Sequence, residues 1–541
     1  MPHWLGPILR WSGAAGSGLA SCVALVLGGC GGGGSSAASS AVGTGPPPDP
    51  TWTSGVYQSP ATFAARCAVP RTGTDPATGQ PYPDKPGSAD WEDNFLRAWT
   101  NAYYLWYAEV PDVNPATHAP ADYFKLLKTT AVTASGNPKD KFHFTYATSV
   151  WEQRSQSSVQ VGYGAVWVSL ATTPPRKLLV AYTEPGTPAV AANLARGAEI
   201  VTVDGVDLVN DNTQVGVNTL NAGLSPAASG ETHTFGVVDT PGAAVRTVTL
   251  TAAAITSTPV QNVKTLPGGT GLLGYFQFND HIATAESELI AAFTQLKQAG
   301  IADLVIDLRY NGGGYLDIAS EVAFMVAGPG RTTGRTFELQ VFSDKYQNST
   351  VNPVTLAALT PALFHSTAVG LSVASGTALP HLDLARVFVL TGPQTCSASE
   401  AIMNSLRGVG VDVIEIGSTT CGKPYGFYPQ DNCGTTYFSI QFKGVNDAGF
   451  GDYTDGFSPA NAVTPVLPAL AQLPGCSVAD DFTHPLGDPA EARLAAALGY
   501  LVNQQCPLPT GMAPPASPLQ VDGAMAKPEW LMNRIMRSAA P

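Results

Sequence analysis

The chain has 541 residues, more than one hydrophobic core usually organises, so its length indicates several domains. Its net charge is -13, only 13% of its residues are charged, and no cluster of Lys and Arg occurs, which argues against a nucleic-acid partner. The content of 56 glycines and 44 prolines is typical of a loop-rich, exported protein.

The first 30 residues have the features of a cleaved export signal. Arg10 precedes a small and apolar run, 14–29, which is too short and too rich in glycine for a stable membrane span. The run ends in Leu27-Gly-Gly-Cys30, which resembles a bacterial lipoprotein signal, and Cys30 would then carry the lipid. We expect an envelope lipoprotein, at the outer membrane and facing the periplasm or the cell surface, with the lipid as its only membrane contact. An ordinary secretory signal with an incidental Cys30 is the alternative.

Six cysteines follow this segment, and an even number in an exported chain indicates disulfide bonds. Their connectivity is open, although Cys421 and Cys433 flank a predicted hairpin and could bridge it. Free buried thiols are the alternative. No group of Cys and His has the spacing of a zinc site, so we expect no metal, and we expect no cofactor. The six are Cys67, Cys396, Cys421, Cys433, Cys476 and Cys506.

A helical region follows a tether and a Pro- and Gly-rich segment, which together occupy 31–87. Phe95, Trp99 and Tyr103 recur at steps of four, which indicates an amphipathic helix. A second helix is predicted around 123–127. The aromatic residues predict the core of a small helical domain rather than a ligand site.

From Ser157 the hydrophobic period changes to two, which predicts short strands. The loop Gly162-Tyr163-Gly164, the turn at 185–189 and the run at 196–207 occur in an order that resembles a PDZ domain. Such a domain binds a peptide as an added strand on a sheet edge. The resemblance implies that the amides of the Gly162-Tyr163-Gly164 loop bind the peptide's carboxylate. A glycine turn in a plain barrel is the alternative.

An α/β pattern then begins, with strands predicted at 274–278 and 303–308 and helices at 286–298 and 316–326. The apolar run at 303–308 is typical of a strand buried on both faces. It ends in Arg309-Tyr-Asn-Gly-Gly-Gly314 just before a helix, where free N–H groups could bind an anion or a developing oxyanion. A triple glycine alone is more often a tight turn.

Further along, strands predicted at 387–391 and 411–416 enclose a helix that begins at Ser397. A hydroxyl at a strand-to-helix turn and a lysine in an apolar setting, Lys423, are the parts of a Ser/Lys nucleophilic site. Ser397 and Glu400 also form a capping-box pattern, and a single lysine is more often a surface charge. Elsewhere we expect irregular structure at 331–385, a strand at 435–442, a helix within 481–501 and a short helix around 530–537.

Three motifs in this order resemble the carboxyl-terminal processing, or tail-specific, peptidases, a Ser/Lys serine protease family that includes the tricorn-type core. The motifs are Asp307-Leu-Arg-Tyr-Asn-Gly-Gly-Gly314, Thr395-Cys-Ser-Ala-Ser-Glu400 and Cys421-Gly-Lys423. The resemblance implies that Ser397 is the nucleophile and Lys423 the general base. It also implies that the oxyanion donors are the amides of Ala398 and of Gly313 or Gly314.

The resemblance is incomplete at the residue that orients the base. Gly408 stands where the family often has an aspartate, and Phe427 replaces an alternative glutamine. Gln430 and Gln441 are candidates for this role. A lysine can act as a base only when neutral, so burial must lower its pKa from about 10.4.

The resemblance implies an α/β multidomain protein with a helical N-terminal domain, a PDZ-like β domain and a crotonase-like α/β protease core. It implies a serine endopeptidase that acts on proteins or peptides with exposed C-termini, with the PDZ-like domain capturing the tail. The missing orienting residue motivates the alternative, a catalytically silent peptide-binding lipoprotein. The expected division is 1–30 signal, 31–87 tether, 88–150 helical domain, 155–255 PDZ-like domain, 256–505 protease core and 506–541 tail.

Overall fold

The computed structural model describes residues 47–76, 78–156, 159–269, 271–507 and 534–536. The predicted export signal with Cys30, and the tether as far as residue 46, therefore lie outside the described residues. Within the described ranges, no helix combines the length and the apolar character needed to cross a membrane.

The first unit is organised by one long helix, α2, whose apolar residues follow the predicted helical spacing. Phe95, Leu96 and Trp99 are buried on this helix and belong to one cluster with Tyr123 and Phe124 of α3. The predicted aromatic core of a helical region is therefore present. The elements are α1 (Pro60–Phe63), β1 (Arg66–Cys67), β2 (Thr74–Asp75), β3 (Gln80–Pro81), β4 (Lys85–Pro86), α2 (Ala89–Tyr103), α3 (Pro120–Leu126), β5 (Phe144–Ala147) and α4 (Thr148–Gln156).

The second unit is an antiparallel sheet with two helices, and its main strand order is β12-β11-β9-β8-β7. Helix α6 and strand β11 were not predicted, because Asn, Thr and Gly interrupt their apolar positions. Thr213 caps α6 by accepting a hydrogen bond from Gly216 N. The elements are β6 (Val159–Gly162), β7 (Ala165–Ala171), β8 (Lys177–Thr183), α5 (Pro188–Ala191), β9 (Glu199–Val203), β10 (Val206–Asp207), α6 (Gln214–Leu224), β11 (Thr232–Val238), β12 (Arg246–Thr251) and β13 (Ala253–Thr256).

The core is a six-stranded sheet of order β14-β15-β16-β20-β21-β28, parallel except at β14. Residues of α7, α8 and α10 cover one face and residues of α11 cover the other. All five residues of β16 are buried, as its apolar run predicts. The elements are β14 (Val260–Pro267), β15 (Leu272–Phe278), α7 (Ala285–Ala299), β16 (Asp303–Asp307), β17 (Gly313–Tyr315), α8 (Leu316–Ala327), α9 (Pro329–Thr332), β18 (Thr336–Phe342), β19 (Ala362–Leu363), β20 (Arg386–Thr391), α10 (Ala398–Gly408), β21 (Asp412–Gly417), β22 (Tyr425–Gly426), β23 (Gln430–Asn432), β24 (Thr435–Phe438), β25 (Phe442–Val445), β26 (Ser458–Pro459), β27 (Gln472–Leu473), β28 (Gly475–Ser477), α11 (Ala492–Asn503) and β29 (Arg534–Met536).

The single strand predicted at 435–442 is wrong, because two strands replace it. β24 pairs with β5 of the helical unit, whereas β25 pairs with β18, a strand inside the region predicted to be irregular. The predicted helix around 530–537 is also wrong within its described part. Residues 534–536 form β29, which pairs in parallel with β17. A helix this short gains little by itself, whereas an extended segment can hydrogen-bond to a neighbouring strand.

Disulfide bonds join distant parts of this architecture. Cys67 bonds Cys433, which fastens the helical unit to the β23–β24 hairpin. Cys396 bonds Cys421, so the bridge suggested between Cys421 and Cys433 is wrong. The hairpin turns toward the helical unit, where β24 has its partner strand β5. The third bond, Cys476–Cys506, links β28 to the segment after α11.

Candidate active site

Ser397 lies at the sharp turn between β20 and α10. Its backbone has φ 62° and ψ -115°, an unusual conformation for a residue with a side chain. Strain of this kind costs about 1–3 kcal/mol and tends to occur at functional sites. The turn that precedes it is closed by Thr395, whose hydroxyl accepts a hydrogen bond from Gly392 N at 2.9 Å. The predicted strand, turn and helix thus place a buried serine at the start of α10.

Glu400 connects the serine turn to the lysine loop. Its Oε2 accepts hydrogen bonds from Ser397 N at 2.9 Å and Lys423 N at 2.8 Å. Its Oε1 accepts from Gly422 N at 2.8 Å and from the Thr420 hydroxyl at 2.5 Å. Burial raises the pKa of this carboxyl and the four donors oppose that shift. The capping-box pattern in the sequence therefore has a second role, because the same carboxylate fixes the backbones of both candidate catalytic residues.

Lys423 is fully buried beside two aromatic rings. Its Nζ lies 4.4 Å from the centre of the Phe427 ring and 5.0 Å from that of Phe142. Burial holds the pKa of this amine well below its usual value, and the nearby carboxyls of Glu400 and Asp140 oppose the shift. Phe427 stands where the family pattern has an alternative orienting glutamine. Phe142 comes from the helical unit, and no local motif in the sequence marks it. A lowered pKa makes the neutral amine available as a base.

The Cys396–Cys421 disulfide is a second link between the same two segments. It joins the residue before Ser397 to the residue two positions before Lys423. Cys421 N also donates a hydrogen bond to Thr395 O at 3.0 Å. The serine turn and the lysine loop are therefore held together by a covalent bond, a backbone bond and the Glu400 carboxylate.

The glycine turn at 312–314 packs directly against the serine. A Cβ on Gly313 would lie 2.8 Å from Ser397 Cβ and 2.9 Å from Ala398 N, so only glycine permits this approach. The N–H of Gly313 is already used, since it donates to Asn311 Oδ1 at 2.9 Å. Of the two predicted glycine donors, this geometry favours Gly314. Ala398, the first residue of α10, lies at the helix end where N–H groups have no partner within the helix.

Asn311, for which the sequence predicted no role, holds this turn through hydrogen bonds of its side chain and its carbonyl. Its side chain donates to Phe278 O at 3.0 Å, and its carbonyl accepts from Cys396 N and from the Ser399 hydroxyl, both at 3.1 Å. His281 lies 3.0 Å from the Asn311 side chain, and burial lowers the pKa of this imidazole to about 3. The histidine is therefore neutral and part of the scaffold.

Arg309 anchors the end of β16 that precedes the glycine turn. This buried guanidinium donates to Asp307 at 2.9 Å, to both oxygens of Glu491 at 2.7 and 2.9 Å, and to Asp480 at 2.7 Å. Asp480 also accepts a bond from Arg196 of the second unit at 2.6 Å. The first of the three sequence motifs therefore holds the glycine turn in place and connects it to the neighbouring unit.

Comparison with known proteins places this site in a family. Residues 270–427 match the model of "Peptidase family S41". Residues 270–427 of the chain therefore form a peptidase family S41 domain. This is the family that the three sequence motifs predicted, and the match spans the glycine turn, Ser397 and Lys423.

Two curated relatives are C-terminal processing proteases. The Picosynechococcus sp. "Carboxyl-terminal-processing protease" is 33% identical over 145 residues, which cover 26% of this chain and 32% of that protein. The Tetradesmus obliquus "C-terminal processing peptidase, chloroplastic" is 34% identical over 169 residues, which cover 29% and 34%. The chain thus spans about a third of the length of these relatives.

A crystal structure of a "Putative S41 protease" from Bacteroides fragilis shares the fold. It superposes with a TM-score of 0.56 at 21% identity and covers 76% of this chain and 97% of that one. The mixed α/β, multidomain organisation predicted from the sequence is therefore confirmed at the level of the overall fold.

The site differs from the family pattern at position 408, as the sequence indicated. A Cβ on Gly408 would lie 2.9 Å from Asn446 Cβ, so this position has no room for an aspartate. Gln441 accepts a bond from Tyr428 N at 2.8 Å, and Gln430 donates to Asp431 O at 2.9 Å. Both glutamines therefore hydrogen-bond to backbone atoms of the segment that follows Lys423.

The loop predicted to bind a peptide carboxylate belongs to the second unit. Gly162 pairs with Ala253, and the buried Tyr163 donates its hydroxyl proton to Gly223 O at 2.8 Å. Gly164 has φ 78°, and a Cβ there would lie 2.3 Å from Thr187. The loop leads directly into β7, the last strand in the sheet order of the described residues.

Proposed function

We propose that this chain is a serine endopeptidase in which Ser397 is the nucleophile and Lys423 the general base. The observation that carries the proposal is the buried Lys423, whose lowered pKa favours the neutral amine, fixed through Glu400 to the strained Ser397 turn. A neutral amine next to a hydroxyl at a helix start is the arrangement that activates a serine.

In the proposed reaction the Ser397 hydroxyl oxygen attacks the carbonyl carbon of a peptide bond, and its proton passes to Lys423 Nζ. The negative charge that develops on the carbonyl oxygen is stabilised by the N–H groups of Ala398 and Gly314. Collapse of this intermediate breaks the C–N bond, and Lys423 returns the proton to the leaving amine. Water then attacks the acyl carbon and gives a proton to Lys423. The bond between that carbon and Ser397 Oγ breaks, Lys423 returns the proton to Oγ, and the carboxylic acid product leaves with the neutral amine restored.

The second unit would deliver the substrate. We propose that residues 155–255 form a PDZ-like domain that holds a protein's C-terminal tail, with the 162–164 loop at its carboxylate. The position of β7 at the end of the sheet supports this, because an edge strand can accept a peptide as an added strand. We further propose that the protein acts in the cell envelope, anchored through a lipid on Cys30.

The test is hydrolysis of a fluorescently labelled unfolded protein by the full chain. We expect turnover by the wild type and its loss in Ser397→Ala and Lys423→Ala. Lys297→Ala, an exposed lysine at the end of α7, is the matched control and should retain full activity. A wild type that binds tail peptides without cleaving them would refute the proposal and identify a silent peptide-binding protein instead. Turnover that survives in Lys423→Ala would refute the role of the lysine.

A further inference from the structure

The glycine turn forms a short strand, β17, with two edges. His281 uses one edge, since His281 N donates to Gly313 O at 3.4 Å and Tyr315 N donates to His281 O at 2.8 Å. Backbone groups of successive residues in a strand point to opposite edges. The N–H and C=O of Gly314, the glycine donor that the geometry favours, therefore face the other edge.

The chain's own segment at 534–536, β29, lies along that second edge. It pairs in parallel with β17, with Arg534 opposite Gly313, Ile535 opposite Gly314 and Met536 opposite Tyr315. In this register the Gly314 N–H faces the carbonyl of Arg534, and the Met536 N–H faces the carbonyl of Gly314. A carbonyl of the chain thus faces the group expected to stabilise the oxyanion.

We propose that residues 534–536 are an intramolecular competitor of the substrate, bound as an added strand beside Ser397. This inference rests on the proposed function. A Cβ on Gly313 would lie 2.8 Å from Ser397 Cβ, so a peptide bound along β17 would lie beside the serine. Because the competitor belongs to the same chain, its effective concentration is high, and a few backbone hydrogen bonds suffice to hold it.

The geometry of β17 also indicates which substrates can bind beside Ser397. Gly313 and Gly314 have no side chains, so the strand offers mainly backbone hydrogen bonds to its partner. Pairing of this kind requires an extended chain and depends on hydrogen bonds to its backbone rather than on its side chains. The proposed substrates are therefore unfolded or extended segments, which compete with 534–536 for one strand position.

The experiment compares two proline substitutions in the full chain. Proline lacks an N–H group, so Met536→Pro removes the donor to Gly314, whereas the N–H of Ile535 points away from β17. We expect Met536→Pro to lower KM for a short extended peptide by roughly fivefold at unchanged kcat, the effect of losing one hydrogen bond. Ile535→Pro should change KM by less than about twofold. A synthetic peptide of residues 530–541 should inhibit Met536→Pro competitively.

A second readout does not depend on catalysis. Amide exchange of the 312–316 segment is followed by mass spectrometry in a Ser397→Ala background. We expect this segment to exchange at least about tenfold faster in Met536→Pro than in Ile535→Pro. If no variant hydrolyses peptide but the exchange rates differ, the strand contact is upheld and the proposed function fails. Equal KM values and equal exchange rates in the two proline variants would overturn the inference.

Discussion

Replacement of Glu400 by glutamine tests how the site is held together. Each oxygen of this buried carboxylate accepts two hydrogen bonds, and Oε2 serves the amides of Ser397 and Lys423. An amide NH2 group in place of one oxygen would face two donors that it cannot satisfy. An unsatisfied buried donor costs about 1–3 kcal/mol, so Glu400→Gln should lower the free energy of unfolding by about 2–6 kcal/mol.

The same variant should lose activity, because the amides it disturbs belong to the nucleophile and the base. A displacement of about 1 Å can lower a rate roughly 100-fold, and we expect a decrease of at least that order in kcat/KM. Denaturant unfolding gives the stability, and hydrolysis of an unfolded protein gives the activity, measured at a temperature where the variant remains folded.

Glu415→Gln is the matched control. Glu415 is also fully buried, but its Oε1 accepts one bond from Thr391, and its Oε2 has no hydrogen-bond partner among the described residues. Burial raises the pKa of this carboxyl well above its usual value, which favours the neutral acid, a group similar in shape to an amide. The amide adds one buried donor without a partner, so we expect a loss of about 1–3 kcal/mol, smaller than the loss in Glu400→Gln. Equal destabilisation by the two substitutions, or a Glu400→Gln protein as active as the wild type, would refute the reasoning.

Three further predictions follow from the same structure. Because burial lowers the pKa of Lys423, the acid limb of the kcat/KM profile should lie well below the usual lysine value of about 10.4, with activity falling as the amine becomes protonated. Cys421→Ala, which opens the disulfide at the site, should reduce kcat at least about tenfold. Cys506→Ala opens a loop of similar length in the cluster that packs with α11, and it should reduce only the melting temperature. Burial raises the pKa of Asp93 to about 8, so the folded protein binds the extra proton between about pH 4 and 8 and loses stability as the pH rises through this window. Asp93→Asn should therefore be more stable than the wild type above about pH 8 and equal to it below about pH 4, as measured by thermal unfolding.

The local elements around the site could be predicted from the sequence because their signals are local. The apolar run of β16 and the period of α7, which ends at Gly300 with φ 67°, each specify one element by themselves. The serine turn was found in the same way, from an apolar strand followed by small residues and a helix. Ser397 and Lys423 could be paired because the family motifs have a fixed order.

Features that depend on the assembled fold could not be predicted. Phe142 reaches Lys423 from a different unit of the chain, and nothing near it in the sequence indicates that contact. The partner of Cys421 depends on which way the β23–β24 hairpin turns. The region that contains β18 was expected to be irregular, because its pairing with β25 is a contact between distant segments. The capping-box pattern predicted a contact of Glu400 with Ser397, but not the bond to Lys423 N.

Covalent labelling of the nucleophile tests the central claim most directly. A fluorophosphonate reacts with activated serines, and mass spectrometry of the digested full chain locates the labelled residue. We predict a label on Ser397 in the wild type and in Ser399→Ala. The Ser399 hydroxyl donates to the Asn311 carbonyl, so it is not the predicted nucleophile. Lys423→Ala should remain unlabelled, since the base that activates the serine is gone. A label on another serine, or hydrolysis without any label on Ser397, would contradict the assignment.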